Sequence, residues 1–206
     1  MVTPGPCTRK GNLSLMTCLK DDISQIRADL REFIATRCIS HGNFRLASGK
    51  QSSYFVDGKK ATLDAQALYW LSCLILNETG DDGIDAIGGM TLGADPIVGG
   101  VVALAGCMGI PLRGFIVRKE RKDRGMGDQV AGSLGDGDRV VMIEDTITTG
   151  GMTLKAIEAV EREGNVTIVK VIAMVDRLQG AREAIEEEGF ELVSLFTIDE
   201  LGVTPQ

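Results

Sequence analysis

The 206-residue sequence has few aromatic residues, a single histidine and no long uncharged apolar run. Aromatic residues make up 4% of it, against 26 glycines, and this composition favours an α/β fold with many turns over an all-β sandwich. No apolar stretch reaches the ~18–20 residues needed to cross a bilayer. The polar N-terminus also lacks the apolar region of a signal peptide. We therefore expect a cytoplasmic protein without membrane contact.

The sequence also lacks paired cysteines and an excess of basic residues. Its five cysteines are scattered, odd in number and without a C-x-x-C pair, which argues against a disulfide framework or a zinc site. The net charge of −7 and the pI of about 4.8 argue against a nucleic-acid partner, because a nucleic-acid-binding protein is normally basic. Local clusters of basic residues still permit anionic small-molecule ligands.

The apolar pattern predicts one domain behind a short extension. Residues 1–20 show no apolar period and are predicted to be a flexible N-terminal extension, which leaves 21–206 as the domain. Asp22 and Gln25 predict a capping box at the start of a first helix. Two short strands around a Ser48-Gly49-Lys50 turn then complete a small N-terminal hood, mainly residues 21–62.

The rest of the domain, about residues 63–200, predicts strands and helices in alternation. Helices are predicted at 63–76, 96–105, 152–163 and 181–188, and strands at 84–87, 114–117, 140–143, 166–175 and 192–196. This alternation predicts an α/β fold with a doubly wound, mostly parallel five-stranded sheet. In such sheets ligands bind at the carboxyl ends of the strands, so the loops there are the candidate site.

One of these loops combines acids with a phosphate-binding pattern. In Val140–Leu154 (VVMIEDTITTGGMTL) four apolar residues precede Glu144 and Asp145, and Thr148–Gly151 opens the next helix. Hydroxyls and open N–H groups at a helix N-terminus suit a phosphate, yet two acids would repel one beside them. A ribose 5-phosphate resolves this conflict, with its hydroxyls toward the acids and its phosphate on the turn. The competing interpretation is a strand exit with a solvated acidic pair and a threonine N-cap.

Val140–Leu154 resembles the phosphoribosyl-pyrophosphate (PRPP) motif of type I phosphoribosyltransferases. Three more segments narrow the resemblance to the orotate phosphoribosyltransferase family. Phe44–Asp57 (FRLASGKQSSYFVD) resembles its hood signature, Arg118–Gly125 (RKERKDRG) its mobile catalytic loop, and Val175–Gly180 (VDRLQG) its Asp-Arg-x-x-Gly segment. Taken singly, the three would indicate a hairpin turn, a solvated loop and a local Asp176–Arg177 ion pair. Their order along the chain favours the family.

The resemblance implies an enzyme that transfers the phosphoribosyl group of PRPP to orotate, giving orotidine 5′-monophosphate and pyrophosphate in UMP biosynthesis. It implies Mg²⁺ as cofactor, held mainly through the substrate rather than by a protein cage. It also implies a homodimer whose mobile loop reaches the neighbouring active site. The transition state would carry positive charge on the ribose ring, so the protein has to position both reactants and neutralise pyrophosphate.

The resemblance also assigns the site residues. Glu144 and Asp145 hold the ribose hydroxyls, and with the pyrophosphate-neutralising Arg118, Lys119 and Lys122 they form the predicted catalytic set. Orotate contacts are predicted for Phe55, Val56, Thr148 and Arg177, whose guanidinium suits the orotate carboxylate. The predicted PRPP-binding set is Arg118, Lys119, Lys122, Arg124, Glu144, Asp145, Thr146, Ile147, Thr148, Thr149, Gly150, Gly151, Met152, Ala94 and Asp95. Backbone N–H groups of residues 90–95 are expected over the pyrophosphate.

Three positions depart from the family pattern and keep two other functions open. Arg124 stands where many members carry histidine, and Ala47 and Asp95 stand where some carry lysine. The lost charge has candidate replacements in Lys50, Lys59 and Lys60. One alternative is a type I phosphoribosyltransferase for a purine or uracil, against which the orotate-like hood argues. The other is a PRPP-sensing regulator without catalysis, against which the acidic pI argues.

Overall fold

The computed structural model describes residues 22–45, 51–80, 82–120 and 129–205. The predicted extension, the Ser48-Gly49-Lys50 turn and the predicted site residues Lys122 and Arg124 lie outside these ranges, as does Ala47. In the described part of the chain, no helix has both the length and the apolar character required to cross a membrane.

The elements alternate after an N-terminal helix and hairpin. The helices are α1 (Ile23–Phe33, continued by a π-helical turn at Ile34–Cys38), α2 (Lys59–Thr62), α3 (Ala65–Thr79), α4 (Ala94–Met108), α5 (Gly151–Glu163) and α6 (Ala181–Glu187). The strands are β1 (Ile39–Arg45), β2 (Gln51–Val56), β3 (Ala86–Met90), β4 (Arg113–Val117), β5 (Val130–Gly132), β6 (Arg139–Ile147), β7 (Thr167–Asp176) and β8 (Leu192–Thr197). Strands β1 and β2 form a separate antiparallel pair, as predicted for the hood.

Over the described residues the central sheet has six strands, so the prediction of five was wrong. Its order is β5-β4-β3-β6-β7-β8, and the strand missed from the sequence is β5. This strand pairs antiparallel with β4, while all other neighbours in the sheet are parallel. Three residues are too few to show an alternating pattern, which explains why β5 was not predicted. The predicted α/β class with a mostly parallel sheet is confirmed.

Helices cover both faces of the sheet and bury two apolar cores. On β6, Val141 and Ile143 pack into the core shared with α1, α3 and α4, while Val140 and Met142 pack into the core shared with α5 and α6. Consecutive residues of a strand point to opposite faces, so a strand buried on both faces has to be apolar at every position. This explains the unbroken apolar run before the acid pair.

Strands β3 and β6 are parallel neighbours, but the strands that follow them are added to the sheet in opposite directions. Helix α4 leads from β3 to β4 on one side, and α5 leads from β6 to β7 on the other. The loops after β3 and β6 therefore diverge and leave a crevice at the carboxyl ends of the two strands. Such a switch point is where open α/β sheets bind ligands.

Strand β3 runs further than predicted, through a segment expected to be a loop. It pairs with β4 as far as Met90–Val117. At Gly88 a Cβ would overlap the ring of Phe115, and at Gly89 it would overlap the carbonyl of Ile143. The two glycines therefore allow neighbouring strands and side chains to approach closely. Because glycines are also common in loops, the sequence pattern had suggested a loop here.

Two helix starts also differ from the prediction. Asp22 caps α1 by accepting from the Ser24 backbone N–H (2.9 Å), but the Gln25 side chain donates to Asp29 (2.7 Å). The predicted capping box is therefore wrong. The helix predicted at 63–76 is α3, but it begins two residues later than predicted, because the Asp64 side chain accepts from the N–H groups of residues 66 and 67 and caps the helix there.

Candidate active site

A cavity of about 750 Å³ opens at the switch point, within the ~300–1,000 Å³ range of small-molecule sites. All nine residues of the predicted run 144–152 line it, and so does the predicted Lys119. The loop after β3 forms the opposite wall. The complete lining is Lys59, Met90, Thr91, Leu92, Gly93, Lys119, Glu144, Asp145, Thr146, Ile147, Thr148, Thr149, Gly150, Gly151, Met152 and Thr153.

The acid pair lies within β6, whereas the sequence had suggested that it lies in the loop after this strand. Strand β7 pairs with β6 as far as Ile147–Asp176, which extends the strand through Glu144 and Asp145. The side chain of Asp145 is only 15% exposed. The alternative interpretation, a solvated acidic pair, is therefore wrong for Asp145.

The Asp145 carboxylate is held in one position by close neighbours. Its Oδ1 accepts from the Thr146 backbone N–H (2.8 Å), and its Oδ2 lies 3.9 Å from the Lys59 ammonium. A Cβ at Gly58 would come within 3.1 Å of Oδ2, and a Cβ at Gly93 within 2.7 Å of Cγ. The absence of side chains at these two glycines gives the carboxylate its space.

We expect Gly93→Ala to lower activity by displacing Asp145. The backbone of Gly93 has φ −65°, which alanine adopts readily, so the new methyl group acts mainly through its overlap with the carboxylate. Gly99→Ala in the same helix is the matched control, because a Cβ there meets nothing within 4 Å. Steady-state turnover should fall at least tenfold for the first variant, as expected when an electrostatic group is displaced. Equal turnover in the two variants would contradict the packing argument.

Glu144 is partly buried beside a second acid. Desolvation, with a smaller contribution from the charge of Asp145, raises the pKa of its carboxyl to about 7 against the opposing hydrogen bond from Thr153 Oγ1 (3.0 Å). At neutral pH this carboxyl is therefore balanced between its two protonation states. Sequence reasoning missed Thr153, although a hydroxyl in the first turn after a glycine-rich run was a usable signal.

This raised pKa predicts a pH-dependent stability difference between Glu144→Gln and the wild type. Between the unfolded value of 4.5 and the folded value of about 7, the folded protein binds more protons, so the wild type loses stability as pH rises. The glutamine variant has no such loss. Its advantage in the free energy of unfolding should be near zero at pH 4.5 and reach roughly 1–3 kcal/mol above pH 7.

Thermal or denaturant unfolding of both proteins across this range measures the difference. Glu158→Gln, an exposed position on α5, is the control and should show no pH-dependent advantage. A Glu144→Gln advantage that is constant from pH 4.5 to 8 would contradict the assigned ionisation.

Two helix N-termini face the cavity from opposite walls. Gly93 precedes α4, and Gly150, in the left-handed region (φ 77°), precedes α5. Within the described residues, neither end is capped by a side chain, so the threonine N-cap of the competing interpretation is also wrong. Uncapped N–H groups and the helix dipole make each end a site for an anionic group. The cavity can thus take one anion on each side of the acid pair.

The structure separates the other predicted PRPP residues. Lys119 lines the cavity and Arg118 lies at the end of β4, just outside the lining. Ala94 is fully buried in the first turn of α4. Asp95 accepts a hydrogen bond from Thr91 Oγ1 (2.9 Å) through Oδ2, while its Oδ1 is buried without a partner in the described structure. Lys59, predicted only as a replacement charge, lines the cavity.

None of the predicted orotate residues other than Thr148 lines the cavity, and Arg177 contacts the strand that carries Phe55 and Val56. Arg177 is 7% exposed, and its Nε donates to Tyr54 Oη at 3.4 Å while its Cζ lies 4.9 Å from the Tyr54 ring centre. Tyr54 belongs to β2, next to Phe55 and Val56 in the hood. The buried Arg177 Nη2 has no hydrogen-bond partner among the described residues. Sequence reasoning missed Tyr54, whose buried side chain joins the hood to this arginine.

The alternative of an Asp176–Arg177 ion pair is wrong. The Asp176 carboxylate instead accepts from the Leu178 backbone N–H (2.8 Å) and from Ser194 Oγ (3.1 Å). No ion pair joins Arg177 to a carboxylate in the described structure. A buried guanidinium with an unused N–H group can serve an incoming carboxylate.

Known proteins resemble this chain over most of its length. An orotate phosphoribosyltransferase of Rhodopirellula baltica is 40% identical over 195 residues, covering 90% of this chain and 98% of that protein. The Aquifex aeolicus protein of the same name is 43% identical over 158 residues, covering 77% of this chain and 86% of that protein. The Mycobacterium tuberculosis orotate phosphoribosyltransferase, crystallised with PRPP, is 36% identical with a TM-score of 0.72, covering 86% of this chain and 99% of that one. No family model matches the chain.

The fold, with an acid pair between two uncapped helix N-termini at its switch point, is that of a type I phosphoribosyltransferase. Within that class, identity of about 40% along nearly the whole chain is decisive. The chain belongs to the orotate phosphoribosyltransferase family.

Proposed function

We propose that this protein transfers the phosphoribosyl group of PRPP to orotate, releasing pyrophosphate and forming orotidine 5′-monophosphate for UMP synthesis. One observation carries the proposal: a single cavity holds two carboxylates between two uncapped helix N-termini. PRPP has the complementary layout, with hydroxyls on a ribose ring that separates a 5′-phosphate from a pyrophosphate. The family relationship adds the base, orotate.

The two anionic ends of PRPP have different sites in this proposal. The 5′-phosphate binds residues 148–152 at the N-terminus of α5, where the helix dipole and free N–H groups favour it. The pyrophosphate binds the loop 91–95 at the N-terminus of α4, with Lys119 and Arg118 beside it. Thr146 and Ile147 line the ribose part between them.

Catalysis in this proposal is electrostatic. As the bond from the anomeric carbon to pyrophosphate breaks and orotate N1 approaches, positive charge develops on the ribose ring. Asp145 and Glu144 face that ring and its hydroxyls, while Arg118, Lys119 and Lys122 take up the negative charge of the leaving group. No side chain is required as a nucleophile. The roles of Lys122 and Arg124 stay predictions from the sequence.

Mg²⁺ fits this donor set as a substrate-borne ion. In the described residues no group of three carboxylate, histidine or cysteine side chains is placed to hold a metal, whereas the acid pair and the cavity leave room for an ion with its water. Glu144 and Asp145 would accept hydrogen bonds from its water ligands. When bound, Mg²⁺ would supply positive charge that stabilises the departing pyrophosphate.

Orotate is proposed to bind between the hood and the cavity. Arg177 would pair with the orotate carboxylate through its unused Nη2 group, with the backbone near Phe55 and Val56 against the base. Thr148, which lines the cavity, would contact orotate from the other side. A hood formed by residues 21–62, a homodimer with the loop reaching the neighbouring site, and a cytoplasmic location remain predictions.

Pyrophosphate release from PRPP and Mg²⁺ tests the proposed function. Orotate, uracil, adenine and hypoxanthine are compared at equal concentrations with the purified protein. We expect pyrophosphate release when orotate is the base and none with the other three bases. Release only with uracil or a purine would show that this base, and not orotate, is the substrate. PRPP binding without release for any base would indicate a non-catalytic PRPP sensor.

A further inference from the structure

The strands β4 and β5 carry both ends of the predicted catalytic loop. Beyond the Val117–Val130 pair, the Arg118 N–H donates to the Gln129 carbonyl and Gln129 Nε2 donates to the Arg118 carbonyl, both at 2.9 Å. We call residues 117–119 and 129–130 the stem. Because β5 has only three residues and lies at the sheet edge, its ladder alone provides few hydrogen bonds to the stem.

A carboxylate from a different element secures this stem. Glu163, the last residue of α5, accepts from the Gln129 backbone N–H through Oε1 and from the Val130 N–H through Oε2 (3.0 Å for the second). Hydrogen bonds to an ionised acceptor are roughly twice as strong as neutral ones. No Lys or Arg in the described structure forms an ion pair with Glu163.

The same helix begins at the phosphate-binding turn. Its 13 residues span about 20 Å, from Gly151 in the cavity to Glu163 at the stem. Thr153 in its first turn also holds Glu144. One rigid helix therefore connects the phosphate-binding turn, the acid pair and the segment from which Arg118 and Lys119 emerge.

We propose that Glu163 is a positioning residue for phosphoribosyl transfer, acting on the groups that receive the leaving pyrophosphate. By holding Gln129 and Val130, it sets where Arg118 and Lys119 stand relative to the α5 phosphate site. Lys119 and the N-terminus of α5 line the same cavity, so this placement sets the geometry between the proposed pyrophosphate site and the proposed 5′-phosphate site. This inference rests on the proposed role of Lys119 at the pyrophosphate.

The test compares Glu163→Ala and Glu163→Gln with Glu161→Ala, an exposed glutamate two residues earlier and about 200° around the helix. Steady-state kinetics give kcat, the KM of each substrate and the inhibition constant of pyrophosphate. Losing both charge-assisted hydrogen bonds should lower kcat about tenfold and weaken pyrophosphate inhibition by a similar factor. The orotate KM should stay unchanged. Glu163→Gln, which keeps one acceptor oxygen, should be intermediate, and Glu161→Ala should match the wild type.

A purely structural role would lower the melting temperature of Glu163→Ala and leave kcat and pyrophosphate inhibition unchanged, which would overturn the inference. If the alanine variant does not fold, the glutamine variant decides in the same way. Lys119→Ala separates the two proposals. If Lys119→Ala leaves pyrophosphate inhibition unchanged, Lys119 has no part in the proposed mechanism. If Lys119→Ala weakens pyrophosphate inhibition and the Glu163 variants do not, only the positioning role of Glu163 is rejected.

Discussion

Asp145→Asn is expected to lower kcat about a hundredfold or more while PRPP still binds. Removing a single preorganised electrostatic group from an active site typically costs roughly 100- to 1,000-fold in kcat. Asparagine keeps the shape of aspartate but not its charge, so the cavity and the contacts of Gly58 and Gly93 should survive. The variant would lose the negative field opposite the cationic ribose ring, which exists only in the transition state. The effect should therefore fall on kcat rather than on the KM of PRPP.

Steady-state kinetics with both substrates measure this effect. Asp136→Asn, an exposed acid in the turn before β6, is the matched control and should behave as the wild type. The melting temperature verifies that both variants fold. A rise in the PRPP KM with kcat unchanged would show that Asp145 binds the ground state and does not act on the transition state.

Arg177→Ala is expected to raise the orotate KM roughly 10- to 100-fold, since a hydrogen bond to a charged group contributes about 1.5–3 kcal/mol. Arg177→Lys should lose most of the same affinity, because a lysine ammonium does not reproduce the planar, rigid donor geometry of the guanidinium. The KM of PRPP should change little, because Arg177 lies outside the cavity lining.

The control for this change is Arg182→Ala. Arg182 is an exposed arginine on α6 that pairs with Glu186 at 3.1 Å, so its loss should leave both KM values as they are. Because Arg177 packs on the buried Tyr54, the melting temperature of the alanine variant should fall as well. An unchanged orotate KM would contradict the carboxylate assignment even if stability falls.

Much of the fold and of the site could be predicted because the features concerned produce local patterns in the sequence. The unbroken apolar residues 140–143 indicated a strand buried on both faces. The acids and the Thr/Gly run that follow indicated a ribose phosphate, and all nine residues from 144 to 152 line one cavity. These features depend on neighbours in the sequence, which is why the sequence alone sufficed.

Several predictions failed because the cause was distant in the sequence. Strand β5 exists because it pairs with β4 and is held by Glu163, 33 residues away. The acid pair is part of β6 because β7 continues beside it. Lys59 approaches Asp145, and Tyr54 contacts Arg177, only because the hood packs on the sheet. No local pattern encodes such contacts.

The central claim is that the acid pair faces the ribose hydroxyls while the two helix N-termini hold the two anionic ends. A crystal structure with PRPP and Mg²⁺, without a base, tests it most directly. We expect the 5′-phosphate on residues 148–152, the pyrophosphate at residues 91–95, and the 2′- and 3′-hydroxyls at Glu144 and Asp145. A 5′-phosphate at the α4 end, or a ribose turned away from both acids, would contradict it.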